Sequence, residues 1–285
     1  MAKIVAVHGI NQQYRGSHTI YSEWYPALQD GLERADFVLD SEDEFRCAFY
    51  GDIFRGKGKS EGDNIPDYDL DDIEAGWEEE FLFDLSQEAI ALKQADNESD
   101  AKKKKGVIIG IQRALNVVSG SPLFGNVPEK VVINFVKQVK TYLHNPEKRE
   151  EIKKRVLDEI ADDTRVLIGH SLGSVVCYEL LCQNPGLPIK VYISLGSPLG
   201  IKRIIFDRLE PSPKNGIGLR PKGIKTWVNI ADAKDIVALE KKLDPFFEGS
   251  IHDKLIDNGA NAHNASRYLT TEQAGKAIKD GLQGG

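Results

Sequence analysis

The chain has 285 residues, of which 41% are hydrophobic and 28% are charged, and its net charge is −7. These values are typical of a globular protein with a sizeable core, and no apolar run approaches the ~18 residues that a membrane span needs. The amino terminus runs directly into a strand-like segment without a signal-peptide pattern, so we expect a cytoplasmic protein. Cys47, Cys177 and Cys182 are odd in number and lack C-x-x-C spacing, which predicts reduced core thiols.

The acidic charge is concentrated in one segment. Residues 60–100 contain fifteen Asp and Glu against one Lys, so the rest of the chain has a net charge of +7. We therefore expect an acidic insertion on a mildly basic body. The tetralysine Lys102–Lys105 that follows is expected to be solvated. No interleaving of basic and aromatic residues supports binding to nucleic acid.

The first fifty residues predict a strand, a helix and a second strand. Lys3–Val7 is a nearly continuous apolar run, typical of a buried parallel strand, and His8-Gly9-Ile10 follows it. A helix is expected from about Tyr21 to Ala35, and a second strand over Glu44–Tyr50. This beginning is typical of a fold in which strands and helices alternate.

Residues 52–145 depart from that alternation and predict a largely helical, acidic insertion. Four helices are expected in or just after it, at Trp77–Leu92, Val107–Val118, Pro128–Leu143 and after the cap Asn145-Pro146. The helix Val107–Val118 is amphipathic and lies between polar segments. Two interpretations of it stay open, a mobile lid and a helix packed on the body.

The alternation returns after the insertion. Three further strands are expected, at Thr164–Ile168, Ile189–Leu195 and Ile224–Ile230, with a helix to about Gln183 between the first two. An irregular segment carrying His252 and His263 follows, and the last helix is expected to begin with a capping box at Thr270 and Gln273. The sequence thus predicts an α/β fold with a mostly parallel sheet of about six strands.

The segment Gly169-His170-Ser171-Leu172-Gly173 fits the pattern G-x-S-x-G between a strand and a helix. Such a turn lifts a serine hydroxyl above the sheet edge, while the two glycines let the strand and the helix approach closely. The amide of Leu172 begins the helix and points to the same place, where it can hold an oxyanion. The alternative is a structural turn in another α/β fold. Ser174, one turn into the helix, is assigned no role.

A serine nucleophile needs a base that a third group orients. His252 and His263 are the histidines that follow Ser171 in the sequence, and Asp232 and Asp235 come just after a predicted strand. Sites in α/β folds gather at the carboxyl ends of strands. The order Ser171, Asp235, His263 is the one expected of a nucleophile-elbow hydrolase, with Asp232 and His252 as the alternative acid and base.

These patterns resemble the α/β-hydrolase-fold serine hydrolases of the lipase and esterase kind. The matching motifs span nearly the whole chain outside 52–145; they are Val7–Asn11, Gly169–Gly173, Gly196-Ser197-Pro198, Asn229–Val237 and His263. The resemblance implies that Ile10 supplies a second oxyanion amide, that Asp235 is the acid and that His263 is the base. It also implies one α/β-hydrolase domain over 1–285. The chain departs from the family at its start, where the two leading strands are missing.

The resemblance implies hydrolysis of carboxylic esters, including lipid esters, through an acyl-enzyme and without a metal or organic cofactor. We expect His8 and His170, which flank the oxyanion site, to fix loop geometry through hydrogen bonds. Residues 52–145 are then expected to form a cap that shapes the acyl pocket, and contact with a membrane surface stays open. Thioester or amide hydrolysis and acyl transfer use the same residues. The alternative from another class is a non-catalytic protein whose acidic insertion docks a basic partner.

Two further patterns are near misses. Gly51–Gly58 approaches a phosphate-binding loop, but Gly58 stands where a hydroxyl must bind Mg²⁺. Four acidic residues have the spacing of a calcium loop, although Asp72 stands where its sharp turn needs glycine; they are Asp67, Asp69, Asp71 and Glu78. We therefore expect no nucleotide or EF-hand site, and a solvated acidic face rather than a loose cation site.

Overall fold

A parallel sheet of six strands organises the chain. The computed structural model describes residues 2–55, 68–95, 110–121 and 127–284. The strands are β1 (Ile4–Val7), β2 (Phe45–Ala48), β3 (Val166–His170), β4 (Val191–Leu195), β5 (Thr226–Asp232) and β6 (His252–Ile256). They lie in the order β2-β1-β3-β4-β5-β6, and every neighbouring pair is parallel. The predicted α/β sheet is confirmed.

Helices cover both faces of this sheet. They are α1 (Ser17–Arg34), α2 (Trp77–Ala95), α3 (Ile111–Ser119), α4 (Glu129–His144), α5 (Pro146–Leu157), α6 (Leu172–Gln183), α7 (Ala265–Leu269) and α8 (Glu272–Gln283). Successive strand residues point to opposite faces, so Ile4 packs with Leu28 of α1 whereas Val5 shares a core with Phe81 of α2. Helices α1, α7 and α8 therefore bury one face, and α2 to α6 belong to the core of the other.

The helical segment between β2 and β3 reaches over the carboxyl edge of the sheet. The indole N–H of Trp77 in α2 donates to the carbonyl oxygen of Ile204 beyond β4 (3.0 Å), and Asn134 of α4 donates to Asn11 beyond β1 (2.8 Å). In α3, the side chains of Leu115 and Val118 are fully buried. The described part of the predicted lid helix is thus packed on its neighbours.

One acid of α2, Glu78, is neutralised inside the protein. The buried carboxylate of Glu78 lies 2.8 Å from Lys137 Nζ and 3.1 Å from Lys140 Nζ, both on α4. Asp69 and Asp72 cap each other in a short 3₁₀ turn. Among the described residues, no cluster of three or more His, Cys, Asp or Glu side chains could hold a metal ion.

Several predicted features lie outside the described residues; they are Lys102–Lys105, residues 107–109, Asp67 and the glycines at 56 and 58. Within the described ranges, no helix combines the length and the apolar character that a membrane span needs. All three cysteines are free thiols, with Cys47 and Cys177 buried and Cys182 half-buried.

Three elements near the carboxyl end differ from the expectation. The segment His252–Ile256 forms strand β6 at the sheet edge. Its side chains are mostly exposed, so the sequence has no apolar run there that would predict a strand. Helix α7 has only five residues, too few for a period. Helix α8 is capped by Thr271, whose hydroxyl oxygen accepts from the amide of Ala274, so the expected box at Thr270 and Gln273 was one residue early.

A buried ion pair ties α5 to α6. The guanidinium of Arg149 in α5 donates from Nε to Glu179 Oε2 in α6 (2.9 Å), and the hydroxyl of Tyr142 in α4 donates to the same oxygen (2.7 Å). The amide of Glu210 donates to the other carboxylate oxygen of Glu179 (3.1 Å). Because Glu179 is fully buried, its charge depends on these partners.

We predict that Arg149→Leu lowers the free energy of unfolding by about 3 kcal/mol or more, because it leaves the Glu179 carboxylate buried without its counter-charge. Urea denaturation measures the loss. Arg155→Leu on the same helix is the matched control, since Arg155 pairs with Asp52 and Glu151 at a partly exposed position and should cost less than about 1 kcal/mol. Equal losses in the two variants would contradict the assignment.

Candidate active site

Ser171 occupies the turn between β3 and α6 with φ 53° and ψ −128°, a left-handed conformation that disfavours residues other than glycine. Its backbone is held from several sides. The Ser171 amide donates to the carbonyl oxygen of Leu195 (3.0 Å), and the hydroxyl of Ser174 donates to the Ser171 carbonyl oxygen (2.6 Å). The Ser174 hydroxyl also lies 2.7 Å from that of Ser197. Ser174, to which the sequence assigned no role, therefore closes the turn.

The glycines around Ser171 are required by close packing. A Cβ on Gly169 would lie 2.5 Å from the Cα of Ser174, and a Cβ on Gly173 would lie 2.3 Å from the carbonyl oxygen of Val7. Real Cβ atoms do not approach other atoms so closely. The close approach of strand and helix that the G-x-S-x-G pattern predicted is thus present.

Ser171 lies where the strand order reverses. From the neighbours β1 and β3 the sheet continues to β2 on one side and to β4 on the other. In open α/β sheets the crevice at such a switch point, outside the carboxyl ends of the strands, is the usual place of a ligand. A cavity of about 280 Å³ opens there, with lining residues that include Ile10, Arg15, Trp24, Phe135, Ser171 and His263.

Asp235 and His263 form a hydrogen-bonded pair beside this cavity. His263 Nδ1 lies 2.7 Å from Asp235 Oδ2, and the hydroxyl of Tyr268 donates to the same oxygen (2.7 Å). The amide of Val237 donates to Oδ1 (2.9 Å). Burial raises the pKa of Asp235, but His263 and these hydrogen bonds outweigh it and hold the pKa below its usual value. Asp235 is thus an ionised carboxylate at neutral pH, and the bond to Nδ1 leaves Nε2 of His263 for another group.

The alternative acid and base lie elsewhere. Asp232 Oδ1 accepts from the amide of Lys234 (2.7 Å) and Oδ2 accepts from the amide of Asn258, so this carboxylate shapes the loops after β5 and β6. His252 is exposed and begins β6, beside Val228 in the ladder, away from the carboxyl edge. Ser171 and His263 both line the cavity and Asp235 binds His263, whereas Asp232 and His252 are not among the lining residues.

The two predicted oxyanion amides flank Ser171. Leu172 is the first residue of α6, where the helix dipole is positive, and Ile10 lines the cavity together with Ser171. Among the hydrogen bonds between described residues, the backbone N–H groups of Ile10 and Leu172 donate none. Of the two residues, Ile10 is among those that line the cavity, whereas Leu172 is buried and is not among them.

His8 and His170 bind backbone, as the sequence indicated. The amide of Tyr50 donates to His8 Nε2 (3.1 Å), so Nδ1 carries the proton and donates to the carbonyl oxygen of Gly9 (2.5 Å). His170 Nε2 donates to the carbonyl oxygen of His263 (2.8 Å), and the two imidazole rings lie 4.6 Å apart. Burial lowers the pKa of His8 to about 4 and that of His170 to about 3, so both are neutral at pH 7.

Sequence reasoning missed Tyr268. Its hydroxyl accepts from the amide of Asp232 (2.9 Å) while it donates to Asp235, so it links the end of β5 to the carboxylate. Tyr268 lies on α7, just after His263, and this nearness is the one signal that the sequence offered. A tyrosine in that place is as typical of an ordinary core contact.

Comparisons of the chain with protein-family models, with curated proteins and with solved structures found no match. The fold established here is that of an α/β protein with a six-stranded parallel sheet and a helical segment between β2 and β3. Any closer relation to the hydrolases rests on the motifs and the geometry of the site.

We predict that the buried neutral histidines make stability depend on pH. Both folded pKa values lie below the unfolded value of about 6.5, so between pH 6.5 and 4 the unfolded chain binds protons that the folded chain does not. The free energy of unfolding should therefore fall as the pH falls through this window, by at most about 1.4 kcal/mol per pH unit and histidine.

Denaturation series at several pH values measure this slope. His8→Gln should make it shallower, because glutamine can accept the Tyr50 hydrogen bond but binds no proton. A wild-type slope retained in His8→Gln would show that His8 is not a source of the pH dependence.

We predict that Tyr268→Phe lowers the free energy of unfolding by about 1–3 kcal/mol, because it removes a buried donor to Asp235 and leaves the Asp232 amide without its acceptor. Tyr21→Phe is the control. The hydroxyl of Tyr21 donates to the carbonyl oxygen of Glu42 at the surface, and its loss should cost about 0.5 kcal/mol or less. The idea fails if Tyr268→Phe is as stable as the wild type.

Proposed function

We propose that this protein is a serine hydrolase that cleaves carboxylic esters through an acyl-enzyme. The observation that carries the proposal is a single cavity lined by Ser171, in a left-handed turn at the strand-order switch point, and by His263, whose Nδ1 binds the buried Asp235 carboxylate. A left-handed conformation at a residue other than glycine costs about 1–3 kcal/mol and is concentrated at functional sites. A purely structural turn would gain nothing from it.

In the proposed reaction, Nε2 of His263 takes the proton of the Ser171 hydroxyl as Oγ attacks the ester carbonyl carbon. His263 then gives this proton to the leaving alcohol, and a water molecule, activated by the same nitrogen, hydrolyses the acyl-serine. Asp235 holds Nδ1–H and stabilises the imidazolium that forms in each step. The reaction uses no cofactor.

Two amides would stabilise the tetrahedral oxyanion. Those of Ile10 and Leu172 flank Ser171 and have no acceptor among the described residues. Each such donor contributes on the order of 3 kcal/mol to the transition state. His8 and His170 are neutral at pH 7, so neither adds a positive charge that would destabilise the imidazolium of His263.

We predict that a fluorophosphonate probe labels the wild type and that Ser171→Ala abolishes labelling, because the hydroxyl that forms the covalent bond is gone. In-gel fluorescence measures the labelling.

We predict that Asp235→Asn keeps the geometry of the pair with His263 but lowers the rate of p-nitrophenyl ester hydrolysis by about 10⁴-fold. The imidazolium loses its counter-charge, and the neutral imidazole is held in the wrong tautomer. The steady-state rate is the measurement.

His252→Gln is the matched control for His263→Gln. The exposed His252 should be dispensable, whereas loss of His263 should abolish labelling. An unlabelled wild type, under conditions that label a known esterase, would refute the proposed function and favour a non-catalytic protein. Labelling that persists in Ser171→Ala would refute the nucleophile, and a requirement for His252 would refute the base.

A further inference from the structure

The loop that carries Ile10 is held by a helix of the insertion. Asn11, the residue after Ile10, has φ 61°, so this loop also contains a left-handed residue other than glycine. The side-chain oxygen Oε1 of Gln138 accepts from the Asn11 amide (2.9 Å), and Nδ2 of Asn134 donates to Asn11 Oδ1 (2.8 Å). Both partners are on α4, more than 120 residues along the chain.

The two partner side chains on α4 are buried and hydrogen-bonded to the loop. Asn134 and Gln138 are each 3% exposed, although asparagine and glutamine are mostly surface residues. Nε2 of Gln138 donates to Oε1 of Gln13, which is 2% exposed and follows Asn11 by two residues. Burying amide groups is unfavourable unless they are hydrogen-bonded, and here their bonds all go to the loop after β1.

Ile10 consequently lies between two fixed peptide units. The carbonyl oxygen of Gly9, in the same peptide unit as the Ile10 N–H, accepts from His8 Nδ1 (2.5 Å) and from the hydroxyl of Tyr50 (3.3 Å). The next peptide unit is fixed through the Asn11 N–H and Gln138. Neither unit can rotate without breaking one of these hydrogen bonds, so the direction of the Ile10 N–H is set from both sides.

We infer that Gln138 and Asn134 are positioning residues that aim the Ile10 amide at the oxyanion, an inference that rests on the proposed function. The insertion then contributes to the chemistry as well as to the walls of the cavity. An oxyanion donor acts only from about 2.7–3.1 Å, and a displacement of about 1 Å can cost 10²-fold in rate. Because the oxyanion exists only in the transition state, misplacing the donor lowers kcat and leaves KM nearly unchanged.

The test compares the hydrolysis of p-nitrophenyl butyrate by the full-length wild type and Gln138→Leu. Leucine is close in size but offers no acceptor to the Asn11 amide. We expect kcat to fall about 10- to 100-fold with KM within about twofold, and the affinity for a trifluoromethyl ketone inhibitor to fall in proportion to kcat. Gln138→Glu keeps an oxygen for the Asn11 amide, and Gln13 can rotate its own amide to donate, so this variant should recover most of kcat.

Val139→Ala controls for destabilisation of α4, because Val139 is a buried core residue of the same helix without a bond to the loop. It should lower Tm while leaving kcat unchanged. Asn134→Ala is the second variant, since alanine favours the helix and removes only the bond to Asn11 Oδ1; we expect a severalfold fall in kcat.

The outcomes separate the two proposals. If the wild type is labelled by the fluorophosphonate but kcat of Gln138→Leu stays within about twofold of wild type, the positioning role is refuted and the proposed function stands. If Val139→Ala loses as much kcat as Gln138→Leu at an equal drop in Tm, the contact is only structural. A wild type that neither reacts nor hydrolyses refutes both. Should Gln138→Leu fail to fold, an unchanged kcat in Asn134→Ala refutes the inference.

Discussion

The left-handed backbone of Ser171 is the constraint on which the rest of the site depends. A conformation that costs about 1–3 kcal/mol persists only where its surroundings over-determine it, and here they do so from three directions. On the sheet side, the Leu195 carbonyl oxygen accepts from the Ser171 amide, and on the helix side the Ser174 hydroxyl donates to the Ser171 carbonyl oxygen. Gly9, in the loop after β1, packs closely against the Ser171 side chain. The sheet, the first turn of α6 and the loop after β1 are therefore one rigid unit around one hydroxyl.

The charge states of the groups around Ser171 are also set by their surroundings. Asp235 is buried and ionised, while the two histidines nearest the turn are buried and neutral. In a poorly solvated site an ionised carboxylate interacts strongly with any positive charge that arises beside it. In the proposed reaction His263 takes up that charge, and its imidazole ring packs against the neutral ring of His170. The proposed reaction thus needs one proton carrier and one fixed counter-charge.

The sequence predicted the parts of the molecule that are encoded locally. The turn at Ser171 and the strand before His8 follow from short patterns whose meaning does not depend on distant residues. The choice of Asp235 and His263 over Asp232 and His252 came from the resemblance to a family. Strand β6 was not predicted, because its side chains at the exposed sheet edge show no apolar period. Tyr268 and Gln138 were not predicted for another reason, since both contact the site across the fold. Nothing in the neighbouring sequence indicates that this tyrosine or this glutamine is a hydrogen-bond partner of the site.

The docking of α4 on the loop after β1 also sets when the site can exist during folding. Its residues are drawn from the start of the chain, from α4, from the turn at Ser171 and from residues 235–268, so its contacts are of long range and form slowly. Synthesis from the amino terminus delivers β1 first and the helix that fixes its loop more than 120 residues later. Ser171 emerges later still, and His263 last. A nascent or partly unfolded chain therefore carries Ser171 without the groups that surround it in the folded protein. Under the proposed function, reactivity at Ser171 would report that the chain is completely folded.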